Sequence, residues 1–243
     1  MRDWPEERPI LPLVFEGVSY AVAGRVLLQD VAFRLEGRSC SVILGPNGAG
    51  KTLLLRLANG LLEPSRGRIR WLGPGGEGAA RARALVFQRP VLLRRRAAAN
   101  VEYALRLRGV EARERRRRTQ RVLEATGLLE LARHPARTLS VGLQHRLALA
   151  RAWAVRPQVL FLDEPAASLD PAASRAQEAA IHTIREEGTK IVMTTHDLAQ
   201  ARRMADEVLF LEGGQLLEQT PASVFWSEPR SAAAKDFLRG GGI

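Results

Sequence analysis

Gly45-Pro46-Asn47-Gly48-Ala49-Gly50-Lys51-Thr52 is the stretch on which the reading of this 243-residue chain turns. It fits the phosphate-loop pattern G-x-x-x-x-G-K-[ST], with Gly45, Gly50, Lys51 and Thr52 in the diagnostic places. Its flanks fit as well. Ser41-Val42-Ile43-Leu44 reads as a buried strand, and Leu53-Leu54-Leu55-Arg56-Leu57 as the helix that such a loop opens. Glycines let the backbone wrap a polyphosphate and the helix N-terminus offers unpaired N–H groups. Lys51 adds a point charge, and the Thr52 hydroxyl can ligate Mg2+. The expected ligand is a nucleoside triphosphate. A chance glycine-rich turn would not place strand, loop and helix in the demanded order.

Before the loop, Leu13-Val14-Phe15-Glu16-Gly17-Val18-Ser19-Tyr20 and Val31-Ala32-Phe33-Arg34-Leu35 read as two extended segments around an Ala23-Gly24-Arg25 turn, an antiparallel β flap. After it, Arg68-Ile69-Arg70-Trp71-Leu72 and Ala84-Leu85-Val86-Phe87 read as strands, the second running into Gln88. From about residue 89 to 156 the composition shifts to Ala, Leu and Arg at helical spacing, a helical insert. The apolar strand Val159-Leu160-Phe161-Leu162 then closes on Asp163-Glu164. Lys51 and Asp163 lie 163 − 51 = 112 residues apart. A plain strand-helix-strand unit needs only ~30, so the spacing predicts something domain-sized between neighbouring core elements. Helices over 171–187 and 198–205, a strand over 190–195 and a hairpin through Gly213-Gly214 follow. The alternation predicts an α/β fold with a mainly parallel sheet and helices on both faces.

The composition is 46% hydrophobic, ample for a core. No apolar run reaches the ~20 residues that cross a bilayer, and Met1-Arg2-Asp3-Trp4-Pro5 does not read as a signal peptide, so a cytoplasmic chain is expected. The single cysteine, Cys40, cannot form an internal disulfide and reads as a packing residue. A formal charge of +11 raises the question of nucleic acid or a membrane surface. The charge is mostly arginine spread along the chain. The one dense run, including Arg115-Arg116-Arg117-Arg118, suits a helix with a solvated face better than a dedicated anion or phospholipid site. No nucleic-acid partner is expected.

An acidic pair at the end of a strand completes a nucleotide site. Asp163 can hold the Mg2+ shell and Glu164 can polarise an attacking water. Ser168-Leu169-Asp170 follows, and His196 ends the next strand, where an imidazole can reach the γ-phosphate and the water. With these residues assembled, the chain resembles the nucleotide-binding subunits of ATP-binding cassette (ABC) transporters from about Leu13 onward. The phosphate loop is Gly45 to Thr52, and the glutamine loop of the family matches Gln88, which there contacts Mg2+ and water. The signature segment, usually Leu-Ser-Gly-Gly-Gln, matches Leu139-Ser140-Val141-Gly142-Leu143, followed by Gln144-His145-Arg146. Asp163, Glu164, the Ser168-Leu169-Asp170 D-loop and the switch histidine His196 complete the order.

The resemblance implies a P-loop NTPase fold with an N-terminal antiparallel β subdomain and an inserted α-helical subdomain. It makes residues 1–243 a single ABC ATPase domain, with 1–88 and 157–243 as nucleotide-binding core and 89–156 as the insert. ATP and Mg2+ are the implied cofactors, bound by residues 45–52 with metal ligands Thr52, Gln88 and Asp163. Two cassettes pair head to tail, a homodimer being the expectation; Ser140 and Gly142 cap the nucleotide of the second subunit, and Asp170 of the D-loop is a further nucleotide-binding residue. Separate transmembrane permease subunits, and indirectly a solute-binding protein, are implied partners on the inner face of the membrane. The stretches around Gln88 and His196 look most like importers of small oxyanions of the tungstate or phosphate type. Three positions depart from the family, among them Leu143, which stands in the signature where the family has a polar residue. Val141 replaces a glycine, where a β-branched side chain restricts backbone that approaches a phosphate and weakens capping in trans. The aromatic residue that stacks on adenine aligns with Val22, leaving Tyr20 two positions early. The same core also drives soluble ATPases acting on DNA or ribosomes, the alternative function; those carry a long coiled-coil insertion or two cassettes, and neither fits 243 residues.

Overall fold

A flap, a central sheet and a helical insert follow one another along the chain, and each can be traced to its residues. The computed structural model describes residues 8–240; the start at residues 1–5, considered above as a leader, lies outside them. Strands β1 (Leu13–Val22) and β2 (Arg25–Leu35) pair antiparallel about Ala23-Gly24, with Val22 opposite Arg25. β3 (Cys40–Leu44) leads to the phosphate loop and to α1 (Lys51–Ala58). The chain then returns to the flap as β4 (Arg66–Trp71), on the other side of β1, giving a three-stranded sheet in the order β2-β1-β4.

β5 (Arg83–Val86) enters the main sheet and the insert follows: α2 (Ala97–Leu107), α3 (Ala112–Ala125) and α4 (Val141–Ala154). The remaining elements are β6 (Val159–Asp163), α5 (Pro171–Glu186), β7 (Lys190–Thr194), α6 (Leu198–Met204), β8 (Glu207–Glu212), β9 (Gln215–Pro221), α7 (Ala222–Ser227) and α8 (Ala232–Arg239). The six-stranded sheet runs β5-β6-β7-β3-β8-β9, parallel throughout except for β9, which forms a hairpin with β8. One expectation needs correcting. The strands carrying the phosphate loop and the acidic pair, β3 and β6, are not neighbours, because β7 enters between them and hydrogen-bonds to both. The insert instead joins β5 to β6, which are adjacent and parallel; such a pair needs a long crossover in any case.

Strands buried on both faces explain the near-continuous apolar runs. Alternate residues of the same strands feed two separate cores. Val42, Leu44, Leu160 and Leu162 face α2, α4, α5 and α6, whereas Ile43, Val159 and Phe161 face α1 and the flap. Cys40 is fully buried and its thiol is pushed up to about 12 by burial, so it packs and does not react. On α3 the buried face is Thr119, Val122 and Leu123. The arginines turn outward and pair with carboxylates of the same chain: Glu114 accepts from Arg117 and Arg118, and Glu187 accepts from Arg121 at 2.6 Å.

Candidate active site

Three parallel strands end side by side at the phosphate loop, and each delivers a functional group. From β3 comes the loop itself. Gly45 holds φ +147°, and a Cβ there would lie 1.9 Å from the Leu211 carbonyl, so only glycine lets the loop turn against β8. Gly50, at φ 101°, precedes α1, whose N-terminus has no side-chain cap and no acidic residue in its first turn. That leaves the positive end of the helix facing the loop for an anion. Lys51 is 7% exposed. Its ammonium donates to the Gly45 carbonyl (2.7 Å) and the Pro46 carbonyl (3.0 Å). Burial lowers its pKa, and the carboxylates Glu164 and Asp163 oppose that shift.

From β6 come the two acids. Asp163 is buried, and its Oδ1 accepts from Thr52 Oγ1 (2.8 Å) and from Thr194 Oγ1 (2.9 Å). Glu164 follows with φ 44°, a left-handed backbone unusual for a non-glycine residue. Its N–H donates to Thr194 Oγ1 (3.0 Å). Its Oε2 accepts from Gln88 Nε2 (3.0 Å), from the loop after β5, and lies 3.1 Å from His196 Nδ1, after β7. Gln88, Glu164 and His196 therefore meet at one carboxylate oxygen, beside the Thr52–Asp163 pair.

Ser140, Gly142 and Asp170 form a second group around a groove of about 450 Å³, which Val141, Leu169 and Ala173 also line. Lys51, Thr52 and Asp163 do not border it. Ser140 caps α4 through a 3.5 Å bond from Leu143 N–H, and Asp170 caps α5, accepting from Ala172 N–H (2.9 Å) and Ala173 N–H (2.8 Å). Gly142 is required by packing, since a Cβ would lie 2.9 Å from Ala173 Cβ. Val141 is the first residue of α4, with φ outside the left-handed region and its side chain 56% exposed. The stiffening expected of valine therefore has no backbone origin here, because a helical first turn accepts any side chain. Val22 is exposed at the tip of the flap hairpin, opposite Arg25.

Sequence reasoning missed Thr194, which bridges the two acids. The available signal was a hydroxyl closing a strand whose middle is apolar, Lys190-Ile191-Val192-Met193-Thr194. Among the described residues no three His, Cys, Asp or Glu side chains cluster as a metal site.

A family model described as ABC transporter matches residues 28–167, more than half of the chain. The chain belongs to the ABC transporter family. It is an ATPase of that family. The chain is 37% identical to a phosphate import ATP-binding protein, PstB 2, of Natronomonas pharaonis, with 94% of this chain and 86% of that protein covered. It is 34% identical to the tungstate uptake system ATP-binding protein TupC of Peptoclostridium acidaminophilum, covering 86% and 98%. The solved structure of cbiO1 from Clostridium perfringens, part of the ABC transporter complex cbiONQ, superimposes with a TM-score of 0.80 at 28% identity, covering 96% of each chain.

Proposed function

We propose that this chain is the ATP-binding and ATP-hydrolysing subunit of an ABC importer, acting through separate permease subunits at the inner face of the membrane. The observation that carries the reading is the Glu164 carboxylate. It is held at Oε2 by Gln88 and His196 and set next to the Thr52–Asp163 pair and the Lys51 loop. Glu164 is the general base that takes a proton from the attacking water, and His196 orients it. Residues 45–52 wrap the phosphates, and Lys51 exchanges its loop carbonyls for phosphate oxygens. Thr52, Asp163 and Gln88 fit Mg2+, since their donors are hard oxygens and a single buried carboxylate suits an ion shared with substrate phosphates. When bound, Mg2+ neutralises charge that builds on the transferred phosphoryl group.

In this reading residues 1–243 act as one ATPase domain, with 89–156 as the insert carrying the signature segment. A second copy, head to tail, would receive the Ser140, Gly142 and Asp170 edge. A groove lined by Phe87, Pro90, Val91, Leu107 and Arg151, with Val91 72% and Leu107 69% exposed, supports docking of a permease next to the Gln88 loop. Among the described residues no helix is long and apolar enough to cross a membrane, in keeping with a separate permease. The solute in this reading is a small oxyanion of the phosphate or tungstate type, delivered by a solute-binding protein; phosphate and tungstate are named by two of the relatives, while others name taurine, methionine and iron.

Turnover measurements with Lys51→Ala and Glu164→Gln test the site. The first should abolish nucleotide binding. The second should keep binding and lose ~10²–10⁴-fold in rate. Undiminished turnover in Glu164→Gln would show that another carboxylate is the base. Co-purification of two copies with the neighbouring permease tests the assembly, and a second, distinct cassette in that complex would refute the homodimer.

A further inference from the structure

His196 meets Glu164 Oε2 with a side chain that is 53% exposed and that makes no other bond among the described hydrogen bonds. Its place therefore depends on the backbone that carries it. On one side that backbone is the buried end of β7. On the other, Asp197 caps α6, accepting from Ala199 N–H (2.8 Å) and Gln200 N–H (3.1 Å). α6 has seven residues, and its buried apolar side chains are Ala201 and Met204. A helix so short, with so narrow an apolar face, does not hold itself in place.

The missing hold comes from α5. Glu178 is 6% exposed; its Oε1 accepts from Gln200 Nε2 (3.2 Å) and Arg203 Nη2 (2.8 Å), and its Oε2 from Arg203 Nε (2.9 Å). Ser174 Oγ adds a long bond, 3.5 Å, to the same Oε1 from within α5. Burial pushes the Glu178 carboxyl up, but the bonds from Arg203 and Gln200 outweigh it and hold the group below its ordinary range, so the carboxylate is charged. Gln200 is buried, with its backbone N–H on Asp197 and its side-chain amide on Glu178. One residue thus links the cap that follows His196 to a carboxylate on the neighbouring helix. For packing alone an apolar contact would serve as well, whereas a forked bond from Arg203 together with one from Gln200 fixes the orientation of α6.

We propose that Glu178 is a positioning residue for His196: it clamps α6 through Gln200 and Arg203 and so fixes the loop that brings the ring to Glu164. α5 is also the helix that Asp170 caps, so the D-loop and His196 stand on two helices joined at one carboxylate. The inference rests on the reading of His196 as the group that orients Glu164.

The test is steady-state ATP turnover of the full chain as Glu178→Ala, Glu178→Gln, His196→Ala and the Glu178→Ala/His196→Ala double variant. Glu178→Ala should lower kcat about tenfold with KM for ATP unchanged. Glu178→Gln, which can keep the oxygen on which Gln200 and Arg203 converge, should retain most of the wild-type kcat. With the ring already removed, Glu178→Ala should change kcat no further. In the nucleotide-free chain, amide hydrogen exchange in Glu178→Ala should quicken over residues 196–204 and stay unchanged over 51–58, and this decides where the His196→Ala background is too slow to read. Wild-type kcat in a folded Glu178→Ala, equal loss in the Ala and Gln variants, the same fold-loss on top of His196→Ala, or exchange quickened equally in both segments overturns the proposal. If Glu178→Ala does not fold, Gln200→Leu, which leaves the Glu178–Arg203 pair intact, takes its place: a lower kcat supports the clamp and a wild-type kcat refutes it. Wild-type turnover in His196→Ala would instead overturn the reading of His196, and this inference with it, so the two failures are distinguishable.

Discussion

Replacing Thr194 with valine removes one oxygen and nothing else of comparable size, at a residue that is fully buried. That oxygen donates to Asp163 Oδ1 at 2.9 Å and accepts from the Glu164 N–H at 3.0 Å. Asp163 keeps its bond from Thr52. The Glu164 N–H keeps no acceptor, and a buried donor left unsatisfied costs ~1–3 kcal/mol. Because Glu164 is already held at φ 44°, the cheapest relaxation is a turn of its backbone, which carries the carboxylate away from Gln88 and His196. If the whole cost falls on the transition state, kcat drops roughly 5- to 150-fold, at 1.36 kcal/mol per factor of ten. Nucleotide binding through residues 45–52 should be largely kept. The assay is ATP turnover as a function of ATP concentration, with Thr194→Ser as the control that retains the hydroxyl. Wild-type kcat in a folded Thr194→Val, or equal loss in Thr194→Ser, would refute the reasoning.

Gly142→Ala places a Cβ 2.9 Å from Ala173 Cβ, an overpacking worth ~1–3 kcal/mol, so the melting temperature should fall by roughly 2–12 °C. Val141→Gly, at an exposed first helical position, should cost less than ~1 kcal/mol and leave hydrolysis nearly unchanged; a large gain in turnover would restore the idea that valine impairs the signature. Glu114 is held at about 2, below its ordinary 4.5, chiefly by hydrogen bonds from Arg117 and then Arg118. Its contribution to stability is therefore complete above about pH 4.5 and is lost as pH falls toward 2, so melting curves of Glu114→Gln and the wild type should differ at pH 7 and converge across that window. The arginines of α3 should bind DNA or RNA only weakly; a gel shift showing tight, salt-sensitive binding that an Arg115–Arg118 alanine variant loses would overturn this.

What could be read in advance was what depends on local chemistry. Gly45, Lys51 and Thr52 announce their fold because a polyphosphate-binding turn tolerates few other residues, and buried strands announce themselves as apolar runs. The order of strands was less legible. Nothing in the residues of β3 and β6 says that β7 lies between them, since fully buried parallel strands are interchangeable in composition. Thr194 escaped for a related reason. It is one hydroxyl at the end of a strand whose middle is apolar, and what it bonds to depends on chain packed from far away. The steric meaning of Val141 was likewise invisible until its place in the first turn of α4 was known.

Lys51 folded back on the Gly45 and Pro46 carbonyls has a consequence for how fast and how firmly the site takes up its ligand. The ammonium ties two loop carbonyls together and so holds residues 45–52 in a curve before any ligand arrives. Uptake is then a substitution of partners around an existing cradle, and the ordering of residues 45–52 belongs to folding, not to the encounter. A loop held this way meets its ligand like a socket already cut to size.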